Sequence, residues 1–164
     1  MDRFNYDDYI DTYPPYEYVS RYIKDTSVFA FIRRDLQLAK KHIEKIYPIL
    51  ELIEQYAPYS SYVPYNREIY ILLDNIKAHI EKLRDIIGNT RSKVRKISRE
   101  QVLSYYLFRI QTEILDGIES EIGVLQHKIK NNVNVSRDLI LFVRETTRKL
   151  DEFERFINEI QMHI

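Results

Sequence analysis

Residues 139–164 read LILFVRETTRKLDEFERFINEIQMHI. Leu139, Val143, Thr146, Leu150, Phe153, Ile157, Ile160 and Ile164 return in alternating steps of four and three. That spacing puts them on one stripe of an α-helix, the seam of coiled-coil-like packing. Arg144, Glu145, Arg148, Lys149, Asp151 and Glu152 fall on its other faces. The segment predicts a long amphipathic helix over about 137–163, with Ser136 as N-cap.

The same rhythm recurs upstream. Ile32, Leu36, Ala39, Ile43, Ile46, Leu50, Ile53 and Ala57 form a second four-three seam, predicting a helix over 27–57. Pro48 removes one backbone donor inside it, yet the seam keeps its phase on both sides, so a kinked but continuous helix is expected. The stretch from Tyr56 to Tyr65, with Pro58 and Pro64 and no helical period, reads as a loop. Asn66 then caps a helix over 66–87, whose stripe is Ile69, Leu72, Leu73, Ile76, Ile80, Leu83 and Ile87, and Gly88-Asn89 offers a left-handed stop.

Ser98 and Gln101 have the spacing of a capping box for a third helix, 99–130, with the stripe Val102, Tyr106, Ile110, Ile114, Ile118, Ile122, Leu125 and Ile129. Gly117 and Gly123 interrupt it and are expected to mark close helix approach or a slight bend. Residues 131–135 (NNVNV) break the period before the final helix. Residues 1–26 are acidic and tyrosine-rich, and Pro14-Pro15 blocks a helix through their middle. They read as a largely extended arm, any helix in it beginning after Pro15.

Short connections between long helices force antiparallel neighbours, so the chain reads as an all-α, up-down-up-down four-helix bundle about 45 Å long. A helical hairpin that completes its bundle by dimerising is the other arrangement this pattern allows. The 164 residues suffice for one such domain, and three Gly and five Pro leave little material for the turns of an all-β fold.

Composition narrows the chemistry. With no cysteine, disulfides, thiolate metal sites and cysteine nucleophiles are excluded. Basic and acidic residues balance at 25 each, so no whole-molecule field drives binding to nucleic acid or membranes. The acidic N-terminus and the lack of any apolar run near the roughly 18 residues of a membrane span argue for a cytoplasmic protein with no membrane partner, a virion component being the other option. An Ile-rich, Tyr-rich chain without Cys or Trp is similar in composition to small helical proteins of thermophilic archaea and their viruses, a likeness that implies no residue roles.

Di-iron bundles need Glu-x-x-His pairs, and the residues three before His42, His79, His127 and His163 are Ala39, Ile76, Val124 and Ile160. Glu159 and His163 make a structural ion pair at the C-terminus, and His79 is read as a boundary histidine. Glycines at 88, 117 and 123 alone cannot build a phosphate loop. No catalytic residue, cofactor, metal or small-molecule substrate is expected.

Two features invite surface contacts. Lys82, Arg84, Arg91, Lys93, Arg95, Lys96 and Arg99 crowd one segment that holds a single acid, Asp85. They are either solvated, paired with the acidic N-terminal arm or with acids such as Glu113, Asp116, Glu119 and Glu121, offered to a protein partner, or offered to phosphates with Tyr105 and Tyr106 as stacking groups. Tyr13, Tyr16, Tyr18, Tyr59, Tyr62 and Tyr65 belong to a run of tyrosines in the arm and first loop, suited either to a protein interface or to packing on the bundle itself. The expected function is a non-enzymatic helical interaction or structural module working through a protein partner or self-association. The competing expectation is a nucleic-acid-binding accessory protein using residues 82–99.

Overall fold

The computed structural model describes the backbone of residues 16–95 and 100–164, and the side chains of 27–95 and 101–164. Among the described residues the regular elements are helical, and there is no strand. Helix α1 (Tyr16–Tyr56) ends in a 3₁₀ turn (Ala57–Tyr59) and is followed by α2 (Val63–Val94). Helix α3 (Glu100–Arg109) passes through a π-helical stretch (Ile110–Leu115) into α4 (Asp116–Lys130), and α5 (Ser136–Met162) completes the chain.

Helix α1 starts ten residues or so before the predicted boundary, immediately after Pro15 in the sequence. Residues 16–26 contain neither Gly nor Pro, and lengthening an existing helix costs far less than nucleating one, so the helix runs past its apolar seam. Of the expected arm, residues 1–15 lie outside the described residues. Pro48 sits within an unbroken α1 and is exposed, so the donor it lacks faces solvent.

Helix α2 departs from expectation at both ends. It begins at Val63, not Asn66, with Pro64 in the first turn, where a missing N–H costs nothing. It continues through Gly88-Asn89 to Val94, and no described glycine has positive φ. Burial explains the continuation: Thr90 and Val94 extend the stripe into the core, and the Thr90 hydroxyl is bonded to the Ile86 carbonyl at 2.8 Å. The left-handed stop is instead at Asn132 (φ 59), where the Val133 and Asn132 N–H groups donate to the Lys128 and Ile129 carbonyls at 2.9 and 3.1 Å. The N-cap of α5 is Val135; the expected cap, Ser136, is the first helical residue, and the Asn134 side chain accepts its N–H at 3.0 Å. The expected capping box lies outside the described residues at Ser98.

The π stretch resolves an irregularity in the third stripe. Steps of four from Ile110 through Ile114 and Ile118 to Ile122 each overrun a 3.6-residue helix by about 40°. One wide turn, closed by the Asp116 N–H on the Gln111 carbonyl, absorbs that drift. Before it the stripe is Leu103, Leu107 and Ile110; Val102, expected inward, is exposed.

The core is the four stripes together, with Phe142, Phe153 and Phe156 of α5 among its largest fully buried side chains. Cross-helix pairs fix which elements touch. Asp35 meets Lys93 at 2.7 Å and His42 meets His79 at 3.1 Å between α1 and α2. Tyr47 donates to Asp151 at 2.8 Å and Ser60 Oγ lies 2.9 Å from Ser136 Oγ, joining α1 and its turn to α5. Arg84 meets Asp116 at 2.7 Å and Gln126 donates to Asp74 at 2.7 Å between α2 and α4. Lys128 meets Asp138 at 2.9 Å between α4 and α5, and Arg109 of α3 is 3.8 Å from Glu152 of α5. Of the two glycines expected to mark close approach or a bend, Gly117 is met only by the flexible tip of the Lys149 side chain, 2.9 Å from where a Cβ would stand, and Gly123 faces open space.

Gly88 also faces open space within a helix. Gly88→Ala should therefore stabilise the chain by about 0.5–1 kcal/mol, read as a higher urea midpoint with unchanged slope. A lower midpoint would mean that α2 ends at the glycine.

Candidate interaction surface

The basic segment does not stay together as one free patch. Arg84 and Arg91 lie on the α2 flank toward the third rod: Arg84 binds Asp116 and Glu119, and Arg91 donates to Gln111 with its guanidinium 6.0 Å from the Phe108 ring centre. The hydrogen bond that Arg84 donates to Asp116 is the largest influence holding the Arg84 pKa above its ordinary value. Lys93 turns the other way, onto Asp35 of α1, and lies 5.6 Å from the Phe31 ring centre. Lys82 stands beside the His42–His79 pair, and Arg95 is exposed. Lys96 and Arg99 lie outside the described residues. The intramolecular pairing with α4 acids, one of the sequence readings, is what Arg84 adopts; Glu113 is taken instead by Arg109 at 3.0 Å.

Of the two proposed stacking groups, Tyr106 packs against Phe156 at 5.6 Å and is only partly exposed. Tyr105 is open to solvent, with Arg109 5.6 Å from its ring centre. Residues alternate around a helix by about 100°, so a basic run in sequence is distributed over opposite flanks once both are packed.

The loop tyrosines come together. Tyr65 lies 5.5 Å from Tyr56 and 5.2 Å from Tyr59, bridging the end of α1 to the start of α2. Tyr59, Tyr62, Val63 and Tyr65 remain exposed. Tyr16 and Tyr18 lie in α1 without described side chains, and Tyr13 lies outside the described residues.

A feature that the seam-based reading passes over continues this cluster. Phe31, Leu38 and Leu52 are exposed at 43%, 46% and 38%, and with Lys45 and Tyr59 they repeat every seven positions along the outer side of α1. Arg34 lies 5.1 Å from the Phe31 ring centre. The signal was present in the sequence as a second apolar heptad position in α1, one position before the core seam. It was masked because only one stripe is needed to explain a bundle helix.

His42 and His79 face each other near the middle of the α1–α2 seam, Nδ1 to Nδ1 at 3.1 Å, so one ring donates to the other. Burial lowers both pKa values, with further lowering at His42 from His79, Lys45 and Lys82, and at His79 from the two lysines. On the α1–α5 seam the opposite charge gathers: burial first, then Asp151 and Glu44, raise the Glu154 carboxyl. The Tyr47 hydroxyl donates to Asp151 and Glu154, and burial and these acids raise its own pKa.

No group of three or more metal-ligating side chains exists among the described residues. An open groove of about 430 Å³, lined by Asn66, Arg67, Tyr70, Ile71, Ile129, Lys130 and Asn132, runs beside the start of α2. No described helix is long and apolar enough to cross a membrane. No protein-family model, curated protein or solved structure matches the chain.

The histidine pair predicts a pH dependence. Folded pKa values below the ordinary 6.5 mean that the unfolded chain binds protons more readily, so the stabilisation is complete above that value and declines as pH falls through the folded pKa values. Melting temperature should fall as pH drops below about 6.5, and His42→Gln/His79→Gln should flatten that limb.

Proposed function

We propose that this chain is a non-enzymatic helical interaction module: an antiparallel, up-down-up-down four-helix bundle with an acidic N-terminal arm, placed in the cytoplasm. It works by protein–protein contact, with a partner or with another copy, through the α1–α2 face. The observation that carries this reading is the exposed heptad stripe of Phe31, Leu38 and Leu52 on α1, interrupted by Lys45 and continued by Tyr59 in the turn that follows, on the flank of a helix whose core seam is already buried. Apolar groups aligned at heptad spacing on a solvent-facing side suit the groove of another helix, and the tyrosine cluster prolongs the same face with rings that bury much area at low entropic cost.

The opposed order of cross-helix pairs supports the bundle arrangement. Asp35 is met by Lys93 while Tyr56 is met by Tyr65, and Tyr47 is met by Asp151 while Ser60 is met by Ser136. The nucleic-acid alternative over residues 82–99 has weaker support, since Arg84 and Lys93 spend their charge on carboxylates.

Leu38→Glu/Leu52→Glu tests the interface. Both side chains are substantially exposed, so stability should change by no more than about 0.5 kcal/mol. Self-association measured by light scattering, or retention of a partner from the host lysate, should be lost. Retention at wild-type level in both assays would remove the α1–α2 face from consideration, and salt-sensitive oligonucleotide binding lost in Arg91→Glu/Arg95→Glu would favour nucleic acid.

A further inference from the structure

We propose that His42, Lys45, His79 and Lys82 form a binding site for a single small dianionic oxyanion, of the phosphate, phosphate-monoester or inorganic sulfate class, on the outside of the α1–α2 seam. Several described cations that reach a neighbouring helix meet carboxylates: Lys93 meets Asp35 farther along this same seam, Arg84 meets Asp116 and Glu119, Lys128 meets Asp138 and Arg109 meets Glu152, while Arg91 meets the Gln111 amide. At the middle of the α1–α2 seam the pattern fails. Among the described residues neither Lys45 nor Lys82 has a carboxylate in ion-pair range, and the two imidazoles meet each other.

The placement is compact. On each helix a half-buried histidine is followed three residues later by an exposed lysine, His42 with Lys45 and His79 with Lys82, and residues three apart share one helix face. The two rings, 3.1 Å apart at Nδ1, draw the two faces to one point. Helical spacing then sets each lysine one turn beyond its histidine, on the side of the helix where the rings meet.

No described acid forms an ion pair with either lysine: Glu44, Glu81 and Asp85 are exposed, Asp85 one helical turn beyond Lys82. The site therefore offers two fixed positive charges and two imidazoles that can each gain one more. A dianion suits this arrangement, because its charge balances the two lysines at neutral pH and favours protonation of the rings as pH falls. Four groups within one turn of each helix match one tetrahedral anion; a polyanion needs a longer track, such as a row of phosphates would follow.

The inference is independent of the protein-contact reading, since its readout needs no partner. Histidine proton NMR titrations of the full chain, with sulfate and with chloride at equal ionic strength, test it. Sulfate keeps its charge across the histidine range, so the comparison isolates the protein. His42 and His79 should titrate about one pH unit higher in sulfate, a tenfold tighter hold on each proton. Lys45→Gln/Lys82→Gln, which changes only exposed side chains, should abolish the sulfate-dependent shift. Equal midpoints in sulfate and chloride, or a sulfate shift that survives the lysine substitutions, would overturn the proposal. A third arm uses a short single-stranded oligonucleotide: if it moves the two histidines when sulfate does not, the site is part of a polyanion track and the single-anion assignment fails.

Discussion

The structure depends on withdrawing four stripes of branched aliphatic side chains from water at once. Isoleucine and leucine stripes on α1, α2 and the α3–α4 rod meet a more aromatic face on α5, where Phe142, Phe153 and Phe156 are nearly inaccessible. Each such side chain contributes about 1.5–3 kcal/mol on burial. No single helix can realise that gain, since an amphipathic rod exposes its stripe when alone. Local irregularities follow from the same requirement. The π stretch at Ile110–Leu115 and the continuation of α2 past Gly88 both keep apolar side chains aimed inward where an undisturbed helix or an early stop would lose them.

Polar contacts at the seams contribute differently. Half of the described ion pairs have both partners a third or more exposed, as with Arg84 and Asp116 at 34% and 54%, and pairs of this kind are worth about 1 kcal/mol or less. Their value lies in register and neighbour choice, because a slipped or exchanged helix would leave cations facing cations. Thr90 is the exception in depth: fully buried, it satisfies its hydroxyl on its own helix while lying 3.2 Å from Asp35 of α1. The α1–α2 and α1–α5 seams carry opposite charge at their centres, His42, His79, Lys45 and Lys82 on one side and Tyr47, Asp151, Glu154 and Glu44 on the other. A chain with no net charge is thus strongly patterned across a single helix.

Helix α1 carries the functional argument because it has two apolar stripes and the core uses only one. Ile32, Leu36, Ala39 and Ile43 are fully buried, while Phe31 and Leu38, one residue before members of that set, face outward. Scattered exposed apolar residues are ordinary on any protein surface, but alignment at seven-residue intervals into a tyrosine cluster gives them a direction and a length. Arg34, Lys93 and the lysines of the histidine cluster border this face, so a partner that covers it must also answer positive charge.

The sequence by itself determined the helical class and the inward stripes, because periodicity is a property of residue order and survives any arrangement of neighbours. It showed Pro48 to be tolerable, since the seam kept its phase across it. It misplaced helix ends at Gly88 and Asn66, because a local stop signal is weighed against burial that only neighbouring helices supply. Only the tertiary structure decided how the charged and aromatic residues group. His42 and His79 are 37 residues apart and meet because α1 and α2 lie side by side, while Arg91 and Lys93 are two apart and part company because a helix turns them to different neighbours. Distance along the chain measures proximity within one rod; between rods, the packing angle and register set it.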